Sequence, residues 1–379
     1  MAETATYDVV VIGAGIAGAS VAAELAREAR VCLLEMERQP GYHTTGRSAA
    51  VFAPIYGPKP IRALTRASEA FFDAPPEGFA DHALLTPRHV MMIARPDQMA
   101  HLDAAFAEVG KEGAVERLDA EAVRQRLPLL REGYASGGFL DKSSADIDVH
   151  ALHQGYLRQL RALGGEVRTR AEVTALRRAG GMWRVTCGAE DLYAPVAVNA
   201  AGAWADLVGQ MAGAERIGLV PKRRTALMID APQGLHIENW PVVVDIDEAF
   251  YLKPDAGRLL ISPANEDPDL PSDVQPDELD IAICIDRIER AFDISVRRIE
   301  NRWAGLRSFV ADKCPVAGFS SVADGFFWLA GQGGYGIQSA PGLSRLAAAM
   351  VLGMPTPEDI IDFGLNLKDL APGRLGERA

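Results

Sequence analysis

The first thirty-five residues constrain this chain more than any other stretch. Tyr7–Ile12 is apolar except for Asp8, the composition of a strand buried on both faces of a parallel sheet. It runs directly into Gly13-Ala-Gly15-Ile-Ala-Gly18, after which the alanine-rich stretch Ala19–Glu28 reads as a helix. A second apolar run, Val31–Leu34, ends in Glu35. Strand, glycine turn, helix, strand and acid in this order form a dinucleotide-binding unit. Gly13 permits the tight turn, Gly15 lets the backbone approach a pyrophosphate, and Gly18 lets helix and strand pack closely. The helix start then offers free N–H groups and a positive dipole end to that pyrophosphate. Glu35 lies 22 residues beyond Gly13, where a carboxylate binds a ribose hydroxyl and disfavours a 2′-phosphate. Which dinucleotide is bound these residues leave open.

A chain of 379 residues has material for two domains. Its net charge of −12 argues against nucleic acid and anionic membrane as partners, because both require a basic surface. Any arginine that binds an anionic substrate must therefore act locally. Cys32, Cys187, Cys284 and Cys314 are widely spaced and form no CxxC pair, which reads as structural thiols of a reducing cytoplasm. His43, His82, His89, His101, His150, His153 and His236 form no metal-spaced set, and His153 reads as structural or exposed. The N-terminus enters its strand without a charged and apolar leader, and no window is long and apolar enough to span a membrane. Both point to a cytoplasmic protein.

Along the chain, helices are expected over Arg62–Phe72, Gln98–Gly110, Leu118–Leu127, Glu278–Phe292 and Ile337–Leu352, the last interrupted near Pro341. Asp148 is placed to cap a helix over Val149–Leu163 that Gly164-Gly165 ends. Strands are expected at Arg88–Ala94, Glu166–Thr169, Glu172–Arg178, Met182–Cys187, Val196–Asn199, Arg223–Ile229, Val242–Asp245, Phe250–Lys253, Leu259–Ser262, Ile299–Val310 and Phe326–Ala330. Gly133–Leu140 reads as loop or short strand, and the polar tail after Asp369 as mobile. The nucleotide fold is thus assembled from the start, middle and end of the chain, with β-rich stretches between forming a second domain. A ligand site is expected where the two meet.

Four segments together resemble one family: Gly13–Gly18 with Glu35, Thr45-Gly-Arg-Ser-Ala-Ala50, Val198-Asn-Ala-Ala-Gly-Ala-Trp204 and Gly331-Gln-Gly-Gly-Tyr-Gly336. They are similar to the flavin-dependent D-amino-acid oxidase superfamily, which includes glycine and sarcosine oxidases. Pro221-Lys-Arg-Arg224, Phe250-Tyr-Leu-Lys-Pro-Asp255, Ser262-Pro-Ala-Asn265 and Trp303–Asp312 most resemble its bacterial D-arginine dehydrogenase branch. The resemblance implies non-covalent FAD and an α/β fold: a doubly wound, Rossmann-like FAD-binding domain (1–84, 145–218 and 311–379) and an antiparallel β-sheet substrate domain (85–144 and 219–310). It implies a cofactor site at Gly13, Gly15, Ile16, Ala17, Gly18, Glu35, Arg47, Ser48, Ala49, Val173, Ala201, Gly202, Trp204, Gly333, Gly334, Tyr335, Gly336, Ile337 and Gln338. The reaction implied is hydride transfer from Cα of a D-amino acid to the flavin, giving an imino acid that water hydrolyses to a 2-oxo acid and ammonia. The electron acceptor stays open between a quinone, another carrier and oxygen. Oxidation of secondary amines such as sarcosine, glycine derivatives or proline is the alternative, and a non-catalytic flavin-binding subunit a further one.

An amino acid's carboxylate calls for a charge-assisted, bidentate partner that stays ionised when buried, which is arginine. The resemblance places Arg224 and Arg307 there, with the Tyr56 and Tyr251 hydroxyls beside them and Gly334 and Gln338 between substrate and flavin. Lys222 and Arg223 read as ordinary surface charges. Val51, Ala53, Val90 and Tyr335 belong to the substrate pocket. At position 90 the D-arginine enzymes carry an acid that pairs with the substrate guanidinium, and Val51 and Ala53 replace a histidine and a threonine. An unpaired buried cation costs about 3–5 kcal/mol, so the sequence predicts apolar or uncharged side chains rather than D-arginine.

Overall fold

The apolar runs come together as one six-stranded sheet. In the computed structural model, which describes residues 5–111, 114–232 and 234–378, its strand order is Glu166–Arg168, Val31–Leu34, Val9–Ile12, Val196–Asn199, Phe326–Ala330, Val316–Phe319. The first five are mutually parallel and the last is an antiparallel edge. Val31–Leu34, Val9–Ile12 and Phe326–Ala330 are buried along their whole length, and Val196–Asn199 is buried at all but Val196, which is why they read as unbroken apolar runs. Helices Ile16–Leu25, Val149–Ala162 and Gly336–Leu352 cover one face. A four-stranded sheet containing Val173–Ala179 and Met182–Cys187 covers the other, with helix Ala205–Met211.

The second sheet has nine strands, all drawn from residues 90–141 and 220–309. It is antiparallel except where Val242–Asp245 runs parallel to Val90–Ala94. Its longest pair joins Val220–Asp230 to Ile299–Phe309, with Lys222 opposite Arg307 and Arg224 opposite Gly305. That register sets Lys222, Arg224 and Arg307 on one face and turns Arg223 to the other.

Several local expectations are corrected. Leu118 belongs to a strand, Val115–Asp119, and the helix begins at Ala120 because Asp119 Oδ1 accepts the Ala122 N–H at 2.8 Å. Gly133–Leu140, read as loop or short strand, is not among these corrections, since it holds a strand at Gly137–Asp141. Glu190–Ala194 is a further strand that polar residues hid. Pro341 does not interrupt its helix, and the Gly342 N–H beside it donates to Ser68 Oγ at 2.9 Å on the neighbouring helix. The tail after Asp369 is packed rather than free: Leu370 and Leu375 are buried, and Arg374 Nε meets Asp312 Oδ2 at 2.8 Å. Ala379 lies outside the described residues. Lys222 and Arg223 are not plain surface charges, since they pair half-buried with Glu266 at 2.9 Å and with Asp269 and Asp280 at 2.8 and 2.9 Å. All four cysteines are buried and unpaired, and burial pushes the Cys32 thiol up to about 12.

Candidate active site

The turn from Val9–Ile12 into the following helix leaves no room for a side chain at Gly13 or Gly18. Gly13 has φ +98°, and a Cβ there would stand 2.5 Å from Ala200 O; one at Gly18 would stand 1.8 Å from Gly13 O. Glu35 is buried beside the turn, one carboxylate oxygen accepting the Ala14 N–H at 2.9 Å and the other the Glu37 N–H at 3.0 Å. The Ile16 N–H donates to Thr45 Oγ1 at 3.0 Å, tying the helix start to the 41–48 loop. Under the turn, the His153 ring donates from Nε2 to Ala14 O at 2.9 Å. Burial lowers its pKa, and nearby His150 adds to that. His153 is thus a satisfied, buried group, settling the choice the sequence left open.

In front of the turn lies a cleft lined by Gly13, Gly15, Ile16, Ala17, Glu35, Arg47, Ser48, Ala49, Val173, Ala201, Gly202, Trp204, Gly333, Gly334, Gly336 and Ile337. Of the residues expected at a cofactor, Gly18 sits behind the turn as a packing residue, and Tyr335 and Gln338 face the adjoining chamber instead. Arg47 lines the cleft, but its guanidinium is committed to Val274 O at 3.1 Å, Ala304 O at 3.0 Å and Asp273. It clamps the 41–48 loop to the second sheet. Two lining residues that sequence reasoning missed, Ser308 and Gln332, each bury a side-chain polar atom with no partner.

The adjoining chamber encloses about 700 Å³. Val51, Ala53, Tyr56, Val90, Tyr335 and Gln338 line it, and Met92, Phe139, Asp141, Val242 and Val244 complete its floor. Those five were missed because they come from three strands whose pairing no local pattern reveals. Ser48, Ala49, Arg224, Tyr251, Arg307 and Gly334 line both cavities and mark their junction.

The two arginines at that junction differ. Arg224 is buried, donates from Nε to Asn265 O at 2.9 Å, and has Glu266 at 3.4 Å. Burial and the charge of Arg307 both lower its pKa. Arg307 lies against Gly334, where a Cβ would stand 2.8 Å from its Nη1. Its backbone pairs with Lys222, but among the described residues its guanidinium has no hydrogen bond and no carboxylate within ion-pair distance. Two guanidinium groups without a shared counter-ion make a site for a small anion. The Tyr56 hydroxyl is already engaged, donating to Glu248 Oε1 at 2.7 Å, and burial raises its pKa well above the usual range with Glu248 adding to the effect. Tyr335 packs edge-on against Tyr56 at 5.3 Å, and burial pushes its hydroxyl up to about 12. Gln338 Oε1 accepts the Ala53 N–H at 3.0 Å and leaves Nε2 unpartnered.

Residues 8–350 match the family model described as FAD dependent oxidoreductase. The chain belongs to this family. Glycine oxidase of Bacillus licheniformis is 24% identical over 368 residues, covering 94% of this chain and 96% of the relative. Human mitochondrial dimethylglycine dehydrogenase is 26% identical over 271 residues, 66% of this chain and 31% of that protein. The solved structure of glycine oxidase from Geobacillus kaustophilus superposes with a TM-score of 0.82 at 22% identity, covering 96% and 99% of the two chains. These relatives support the superfamily and do not single out its D-arginine dehydrogenase branch.

The protein is accordingly an FAD-dependent oxidoreductase, and its cleft suits that cofactor. The glycine turn leaves bare backbone at the helix start, the form of cradle a pyrophosphate needs. Glu35 reaches the same cleft, and at its rim the orphaned Gln332 Nε2 can donate and the orphaned Ser308 Oγ can donate or accept towards a polar ring system. No helix among the described residues is long and apolar enough to cross a membrane.

Proposed function

We propose that the protein oxidises the C–N bond of an α-amino acid or N-substituted amino acid, with residues 1–84, 145–218 and 311–379 holding FAD and the remainder the substrate. One observation carries this reading: the Arg307 guanidinium stands unpaired beside buried Arg224 where cleft and chamber meet. A substrate carboxylate would satisfy both. FAD, when bound, supplies a two-electron acceptor for the hydride that leaves carbon.

Held by its carboxylate, the substrate presents its C–H and amine towards the cleft and its substituent towards the chamber. The amine must be neutral, since its lone pair forms the C=N bond as the hydride departs; water then adds and releases oxo acid and amine. The N-terminus of helix Gly336–Leu352 lies on the cleft wall, and its dipole favours negative charge gathering there. Tyr251, at the junction, is placed to orient the carboxylate.

Glycine does not fill about 700 Å³. The names of the relatives favour substrates of the glycine and dimethylglycine type, hence an N-substituted amino acid as the first reading. The apolar wall of Val51, Ala53, Val90, Met92 and Val244 suits a substituent on Cα equally, which keeps a D-amino acid with an apolar or uncharged side chain as the second. Anaerobic mixing of the holoprotein with N-alkyl glycines, proline, glycine and single D- and L-amino acids, followed by flavin absorbance, tests both. Bleaching by N-alkyl glycines ahead of D-leucine or D-methionine is expected, the reverse order selects the second reading, and no bleaching by any amine overturns the proposal.

A further inference from the structure

The floor of the chamber is a sheet face, and its register puts one charged group among apolar neighbours. Val242 pairs with Val90, and Val90 with Asp141, so these three side chains form a row on one face. The next row holds Val244, Met92 and Phe139. Asp141 is 1% exposed. Its Oδ1 accepts both the N–H and the hydroxyl of Ser143, at 2.9 and 2.5 Å. Its Oδ2 is buried with no hydrogen-bond partner, and no lysine or arginine among the described residues lies within ion-pair distance. A buried carboxylate oxygen without a donor is destabilising wherever it occurs. Asp141 lines a chamber with room for a ligand, and burial raises its pKa against the pull of Ser143 and the charge of His89, a rise that a donor at Oδ2 would oppose.

We propose that Asp141 is a specificity-determining residue, its free oxygen accepting an N–H or O–H donor at the tip of the substrate's substituent. The substrate is then amphipathic: a carboxylate at the arginine pair, an apolar stem over Val90 and Val244, and a hydrogen-bonding tip at Asp141. This inference rests on the reading that Arg224 and Arg307 hold the carboxylate.

Its test uses unreactive probes on the FAD-loaded protein. The linear ω-amino carboxylates from 4-aminobutanoate to 8-aminooctanoate are each paired with the carboxylate bearing a methyl group in place of the amine, and binding is read from the perturbed visible spectrum of the flavin. At the length that spans the chamber, the amino-tipped probe is expected to bind about tenfold more tightly than its twin, the factor of one good charge-assisted hydrogen bond. Asp141→Asn should bring the two within about twofold. If no amino-tipped probe outbinds its twin in the unaltered protein, or if the preference survives in Asp141→Asn, the inference is overturned. Should the variant fail to fold, the comparison in the unaltered protein decides alone. If no carboxylate of either kind perturbs the flavin, the carboxylate anchor itself fails and this inference falls with it.

Discussion

The cofactor cleft and the substrate chamber share six residues yet are built on opposite plans. The cleft is shaped by backbone: at Gly13 and Gly18 the chain passes itself so closely that any Cβ collides. The chamber is shaped by side chains standing on a sheet, from Val90, Met92, Phe139, Asp141, Val242 and Val244, which strand pairing alone assembles. A backbone site depends on the absence of side chains and tolerates almost no change. A side-chain site tolerates substitution and alters preference instead. The junction between them combines both plans, since the Arg307 guanidinium lies directly against Gly334, where a Cβ would stand 2.8 Å from its Nη1.

The largest expected effect strikes the cleft. Gly18→Ala would place a methyl 1.8 Å from Gly13 O, so the helix and the turn must separate. Overpacking of this kind destabilises by about 3 kcal/mol or more, and the variant should purify without yellow cofactor or not fold. Full flavin absorbance with an unchanged melting temperature would break the contrast between the two plans.

Arg307→Met should separate the two cavities functionally. Flavin content should hold, while kcat/KM on the best amine falls about a thousandfold, the size expected when a charge-assisted bidentate contact is removed. A loss below tenfold would show that Arg224 holds the carboxylate alone.

The smallest effect sharpens the picture of how the cleft is supported. His153 titrates lower in the folded protein than free imidazole, because it is buried. As pH falls below about 6.5, the unfolded chain takes up a proton that the folded chain refuses. Stability is therefore lost as pH drops towards the folded value, and is unaffected above the ordinary one. His153→Gln removes this titration, so its melting temperature should fall less than that of the parent on acidification from pH ~7.5 to ~5. The difference is expected to be on the order of 1 kcal/mol; parallel pH profiles would exclude His153 as the source.

The two regions were unequally legible. The cleft could be read because its determinants are local: the strand Val9–Ile12, the turn Gly13–Gly18, Glu35 and the Gly331–Gly336 loop are contiguous stretches with their own geometry. Tyr335 and Gln338 line the neighbouring chamber rather than the cleft, because the start of a helix projects its side chains in all directions. Asp141 escaped notice because only the pairing of Gly137–Asp141 with Val90–Ala94 brings it beside Val90. Leu118 was misread as helical because the Asp119 cap beginning the next helix lies one residue beyond it.

By itself the amino-acid sequence determined that this protein has a dinucleotide cradle at a parallel sheet, since glycines, an acid and apolar runs act over a few residues through backbone sterics and hydrogen bonding. Tertiary structure alone decided that Arg307 stands next to Arg224 without a counter-ion among the described residues, that Tyr56 is engaged by Glu248, and that a carboxylate lies on an otherwise apolar floor. Those facts depend on strand register and on which charges remain unmatched once the sheets have closed. Neither quantity exists until residues far apart in the chain have met.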